Sequence, residues 1–121
     1  MNRLRRSFSY AIQGILYSIA SEPNIKIHLL AAIAAVIMGL IVNLARLEWA
    51  LLNITIFMVL AAETINTAVE RSIDLFSTKQ HPLAKIVKDL AAGGVLLTAV
   101  NAVVIACILF GPYLIGIFQD L

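Results

Sequence analysis

Charge is scarce in this chain: Asp, Glu, Lys and Arg together make up 13% of its 121 residues, against about 25% in an ordinary soluble domain. With 61% of residues hydrophobic and a mean hydropathy of +0.95, that scarcity excludes both a soluble globular protein and a disordered one. Cysteine is reduced to Cys107, inside an apolar run. A disulfide framework and a thiolate metal site are therefore excluded. The net charge of +2 is too small to indicate nucleic-acid binding. The sequence has no G-x-x-x-x-G-K-[ST] phosphate loop and no G-x-G-x-x-G fingerprint. It also lacks a G-x-S-x-G elbow and an H-E-x-x-H helix. Internal repeats, low-complexity tracts and a soluble extramembrane domain are missing too.

What is present is long apolar helix. Residues 27–45, 49–62 and 90–119 contain no Asp, Glu, Lys or Arg. A helix crossing about 30 Å of hydrocarbon needs about 20 residues. The first and third stretches reach that length, and Gly111-Pro112 is expected to end the third helix near the outer surface. The second is too short unless its helix continues through Glu63, Asn66 and Glu70. That continuation puts ionisable groups at or just inside one membrane face, where a carboxylate is a functional candidate by default. Near the N-terminus, Leu4, Phe8, Ile12, Ile15 and Ile19 share one helical side, with Arg6, Tyr10, Gln13 and Tyr17 opposite. This pattern predicts an amphipathic helix lying in the interface. Ser18-Ile19-Ala20 behind a basic start offers a competing signal-peptide reading, but Gln13 and the two tyrosines interrupt its apolar stretch.

Of the nine Lys and Arg, only Arg46 falls in the turn after the first span. Arg3, Arg5, Arg6 and Lys26 precede that span, and Arg71, Lys79, Lys85 and Lys88 connect the second to the third. The basic side is expected to be cytoplasmic, with the N-terminus inside and Trp49 and Tyr113 near the outer interface. The sequence thus predicts a single-domain, all-α integral membrane protein. It has an interfacial helix at about 1–22 and membrane helices at 26–45, 47–75 and 83–118.

The chemistry concentrates on the second membrane helix. Glu63, Asn66, Glu70 and Asp74 are spaced 3, 4 and 4, which places them on one helical stripe. Glu22 and Lys26 sit where the first span begins, and Lys88-Asp89 where the third begins. Carboxylates crowded at one depth need compensation. Lys88 can neutralise one, and a divalent cation two. Hard oxygen ligands suit Mg²⁺, which pairs one or two carboxylates with phosphate oxygens. A nucleotide at the membrane surface is one reading; an ion-pair network joining three helices is another. His28 and His81, far apart in sequence, default to hydrogen-bonded structural roles. Ala91-Ala92-Gly93-Gly94 is expected to allow close helix packing, and Asn53 and Asn101 to hydrogen-bond between helices. Pro82 is expected at the first turn of its helix.

The run Glu-Thr-Ile-Asn-Thr-Ala-Val-Glu-Arg-Ser-Ile-Asp at 63–74 resembles the signature of the prokaryotic diacylglycerol kinase family, E-x-x-N-[ST]-A-[IV]-E-x-x-x-D. Ala84-Lys85-Ile86-Val87-Lys88-Asp89 resembles the family's third-helix entry. Glu22-Pro23-Asn24-Ile25-Lys26-Ile27-His28 and His81-Pro82-Leu83-Ala84-Lys85 look like the undecaprenol kinase branch of Gram-positive bacteria. The diacylglycerol kinases of proteobacteria carry glutamate in place of His28.

The resemblance implies a homotrimer in the inner membrane with active sites shared between protomers. It implies transfer of phosphate from ATP, with Mg²⁺, to undecaprenol; diacylglycerol is the alternative acceptor. Glu63 would be the general base and, with Asn66, would touch the acceptor. Glu22 and Glu70 would hold the metal, and Lys88 would contact phosphate. Asn66, Asp74 and Asp89 would complete the nucleotide site, with Arg3, Arg6 and Tyr10 nearby on the surface helix. Phosphoryl transfer asks mainly for alignment and charge neutralisation, and a lipid alcohol can meet a nucleotide only at the interface. Two other classes compete: a small proton-coupled transporter, which needs a mid-span carboxylate, and a non-catalytic scaffold.

Overall fold

The computed structural model describes residues 2–76 and 81–121; Lys79, used above in the charge count, lies outside them. Four helices follow in order: α1 (Arg3–Ser21), α2 (Pro23–Val42), α3 (Arg46–Phe76) and α4 (Pro82–Gln119). The last three are long and apolar enough to cross a membrane.

Each helix boundary has a local cause. Asn2 caps α1 by accepting the Leu4 N–H at 3.1 Å. Glu22 is extended, ending α1, and Pro23 opens α2 at a position where a missing N–H costs nothing. Helix α2 therefore begins three residues before the expected 26 and ends at Val42, not 45. Its stop is Asn43, the one non-glycine residue with positive φ among those described (57°), a conformation asparagine tolerates. At the start of α3, Glu48 Oε1 accepts the Ala45 N–H at 2.9 Å, half of a capping box. His81 caps α4 through Nδ1, which accepts the Leu83 N–H at 3.1 Å, and Pro82 follows in the first turn. The structural role expected for His81 is thus the observed one.

Proline 112 does not end α4; the helix continues through it to Gln119. Proline removes one backbone donor, and membrane helices absorb that loss through local readjustment and neighbouring groups.

Helix α4 packs most extensively along α3, α2 joins them mainly through α3, and α1 meets only the α2–α3 end. The core is small and apolar: Leu44, Leu52, Leu109 and Phe110, flanked by Trp49 and Tyr113. Gly39 lets the Trp49 indole lie flat on α2, because a Cβ there would sit 2.7 Å from Trp49 Cη2. Tyr113 Oη donates to Glu48 Oε1 at 2.6 Å, tying α4 to the start of α3. Elsewhere large apolar residues such as Leu40, Ile41, Leu97 and Val103 point outward. That surface would aggregate in water and is the expected one in lipid.

Two packing expectations fail within one protomer. Nothing lies within 4 Å of a Cβ placed on Gly93 or Gly94, and Asn53 and Asn101 are exposed. Asn53 edges a groove between α2 and α3 without a hydrogen-bond partner among the described residues.

Candidate functional site

The stripe on α3 runs from buried to open. Glu63 is 1% exposed and Asn66 6%; Glu70 is half-buried and Asp74 exposed. Helical spacing aligns them, and α2 and α4 cover the inner end. Asn66 Nδ2 donates to Glu70 Oε1 at 3.2 Å, joining two members directly. Thr67 Oγ donates to the Glu63 carbonyl at 3.0 Å and so leaves the Glu63 carboxylate untouched.

That carboxylate is the most unusual group in the fold. Its Oε1 and the Asn66 Oδ1 are both buried with no hydrogen-bond partner among the described residues. An orphaned buried acceptor costs roughly 1–3 kcal/mol, more when charged, so a fold keeps one only for a reason. Glu63 Oε2 faces His28 Nε2 at 3.8 Å. Glu70 is tied to Asn66 on the same stripe, and Glu22 at the α1–α2 joint is tied to Arg71, the residue after Glu70.

Ion pairs frame the stripe. Glu22 Oε1 accepts from Arg71 Nη2 at 2.6 Å, and Arg71 Nε donates to Tyr17 Oη on α1 at 3.0 Å. Lys88 Nζ donates to Asp74 Oδ1 at 2.7 Å, linking α4 to α3. Asp89 is turned elsewhere: it pairs with Lys85 one turn back on its own exposed surface at 2.6 Å. Arg3, Arg6 and Tyr10 are exposed along α1, and α1 meets the bundle only near its C-terminal end. The structure thus gathers Glu22, Glu63, Asn66 and Glu70, sets Asp74–Lys88 beside them, and leaves Arg3, Arg6, Tyr10 and Asp89 at the periphery.

Sequence reasoning missed three participants. Arg71 figured only in the charge count, although it directly follows Glu70. Tyr17 was placed on the polar side of α1 without a partner. His28 defaulted to a structural role, yet it stands opposite the buried carboxylate. It also heads an apolar groove of about 350 Å³ between α2, α3 and α4, lined by alanines 31, 32, 35, 99, 102 and 106 among others.

Among the described residues no three His, Cys, Asp or Glu side chains form a group able to hold a metal ion. Glu70 is joined to the Asn66 amide, whose Oδ1 is orphaned among the described residues, and Glu22 is paired with Arg71. One or two such carboxylates, with phosphate and water completing the shell, are the ligands Mg²⁺ takes.

The buried Glu63 carboxylate, with the ion pairs of Glu22, Arg71, Asp74 and Lys88 around it, is the most polar part of a bundle that is otherwise apolar. The comparisons place the chain in a family. The model of the prokaryotic diacylglycerol kinase family matches residues 9–110. The undecaprenol kinase of Bacillus subtilis is 40% identical over 114 residues, covering 94% of this chain and 93% of its own. A diacylglycerol kinase of Synechocystis is 39% identical over 110 residues, 89% of this chain and 63% of its own. The Escherichia coli K12 diacylglycerol kinase is 24% identical, with 88% of each chain covered. The chain belongs to the prokaryotic diacylglycerol kinase family. It is accordingly a membrane lipid kinase.

Proposed function

We propose that this protein transfers the γ-phosphoryl group of ATP to undecaprenol, giving undecaprenyl phosphate at the cytoplasmic face of the inner membrane. The observation that carries the reading is Glu63: a buried carboxylate opposite His28, the polar residue that lines the apolar groove, with one oxygen unpartnered among the described residues. The acceptor's hydrocarbon chain lies in the groove and its hydroxyl reaches Glu63. Glu63 takes the hydroxyl proton as the alcohol oxygen attacks the γ-phosphorus, and the bond to the β–γ bridging oxygen breaks to release ADP. Asn66, next on the stripe, lies beside the acceptor and the phosphate. Lys88 and the side chains beside Asp74 meet the nucleotide, with Arg3, Arg6, Tyr10 and Asp89 nearer its outer edge. Glu22 and Glu70 would hold Mg²⁺, which neutralises phosphate charge when bound.

Undecaprenol is preferred because the Bacillus subtilis relative, matched nearly end to end, carries that name. Diacylglycerol is the second reading, favoured by the names of the other relatives. A side-by-side assay with radiolabelled ATP and the two lipids in micelles separates them; at least tenfold higher kcat/KM for undecaprenol is expected. A transporter reading is disfavoured because the buried carboxylate stands beside the site's ion pairs and not alone at mid-span.

The working unit is a homotrimer with shared sites. Gly94 and Asn101 support it, since both are exposed and lipid offers an amide no partner. Helix α1 lies along the cytoplasmic surface, its Leu4, Phe8, Ile12 and Ile15 side exposed for the membrane.

A further inference from the structure

Arg71 binds one of the two carboxylates assigned to the metal and is the sequence neighbour of the other. It directly follows Glu70 in sequence and binds Glu22 through Nη2 at 2.6 Å. Its Nε is used by Tyr17 at 3.0 Å. A guanidinium has five N–H donors in a rigid fork, so among the described residues these two contacts leave three without a partner, including both on Nη1. The Arg71 side chain is 41% exposed while its Glu22 partner is 14% exposed. The guanidinium thus holds a largely buried carboxylate while being itself open to water. Lys88, the other cation at this mouth, is engaged with Asp74 at 2.7 Å. A triphosphate meets Glu22, Glu63 and Glu70 as like charges and needs a cation beside them, and a planar fork suits phosphate oxygens better than a point charge.

We propose that Arg71 is a nucleotide-binding residue: its inner edge fixes the Glu22 carboxylate toward the metal, and its outer edge receives the triphosphate of ATP. Tyr17 sets the plane of the fork from α1, so the surface helix helps to build the nucleotide site. The proposal rests on the lipid-kinase reading and adds to it a residue from outside the stripe. A mere brace between α3 and the α1–α2 joint would support folding without touching nucleotide affinity.

The experiment is steady-state kinetics of Arg71→Gln, Arg71→Lys and Tyr17→Phe in detergent micelles, with MgATP and lipid alcohol varied separately. Losing a charged double contact is worth about tenfold or more. Arg71→Gln is expected to raise KM for MgATP by at least about tenfold, with KM for the alcohol within about twofold of wild type. Arg71→Lys should recover part of the loss, and Tyr17→Phe should raise KM for MgATP by a few-fold. An unchanged KM for MgATP in Arg71→Gln overturns the proposal while leaving the kinase reading intact. Should Arg71→Gln not fold, Arg71→Lys decides: KM for MgATP equal to wild type counts against the proposal, and a raised value with unchanged KM for the alcohol supports it. A wild-type protein that phosphorylates no lipid alcohol removes the parent reading instead.

Discussion

Glu63 is held in a costly state that the proposed reaction accounts for. It faces one histidine at 3.8 Å, and one of its oxygens is buried without a partner among the described residues. Glu63→Gln keeps the shape and removes the base, so turnover should fall by about 10²–10⁴-fold, read as label transferred from ATP to lipid. Near-normal turnover would strip Glu63 of that role. Glu70→Ala acts differently: it should move the Mg²⁺ concentration for half-maximal rate upward by about tenfold or more. An unmoved Mg²⁺ titration would detach Glu70 from the metal. The 3-4-4 stripe was legible because helical spacing alone decides which side chains share a side. The Glu22–Arg71 pair spans 49 residues and was not legible, since it depends on how α1 crosses the end of the bundle.

At the scale of elements, hydropathy located the helices because lipid demands the same apolar length everywhere. Hydropathy misjudged Pro112, whose rule comes from water-exposed helices, and it overlooked Asn43, whose left-handed backbone ends α2 before the apolar run does. The groove between α2, α3 and α4 could not be read from sequence either. Its alanines are scattered over 31–35 and 99–106, and only the packing makes them one slot. Ala102→Phe should fill that slot and raise KM for undecaprenol severalfold, leaving KM for MgATP unchanged; equal effects on both would place the acceptor elsewhere. Gly39→Ala tests the opposite end of α2. Its new Cβ meets Trp49 at 2.7 Å and Leu44 at 2.9 Å, an overpacking that costs about 1–3 kcal/mol. Thermal unfolding in detergent should show a lower Tm with KM values unaltered.

At the scale of the whole molecule, the exposed amide of Asn101 and the open surface at Gly94 suit another helix better than acyl tails; the sequence asked for helix packing there without saying whose helix. The proposed sharing of sites makes a direct prediction: Glu22→Ala and Glu63→Gln, each inactive alone, should recover a fraction of wild-type turnover when co-assembled. No recovery in mixed oligomers would place each site within a single protomer.

The two ends of this bundle are fastened by different means. At one, Glu48 accepts both the Ala45 N–H and the Tyr113 hydroxyl, and indole and leucine side chains fill the space around them. At the other, helices are joined by the Glu22–Arg71 and Lys88–Asp74 ion pairs, in which Arg71, Lys88 and Asp74 are open to water. Salt screens such pairs and leaves a packed apolar end untouched, so the end that receives nucleotide in the proposed reaction is the one with the looser fastening.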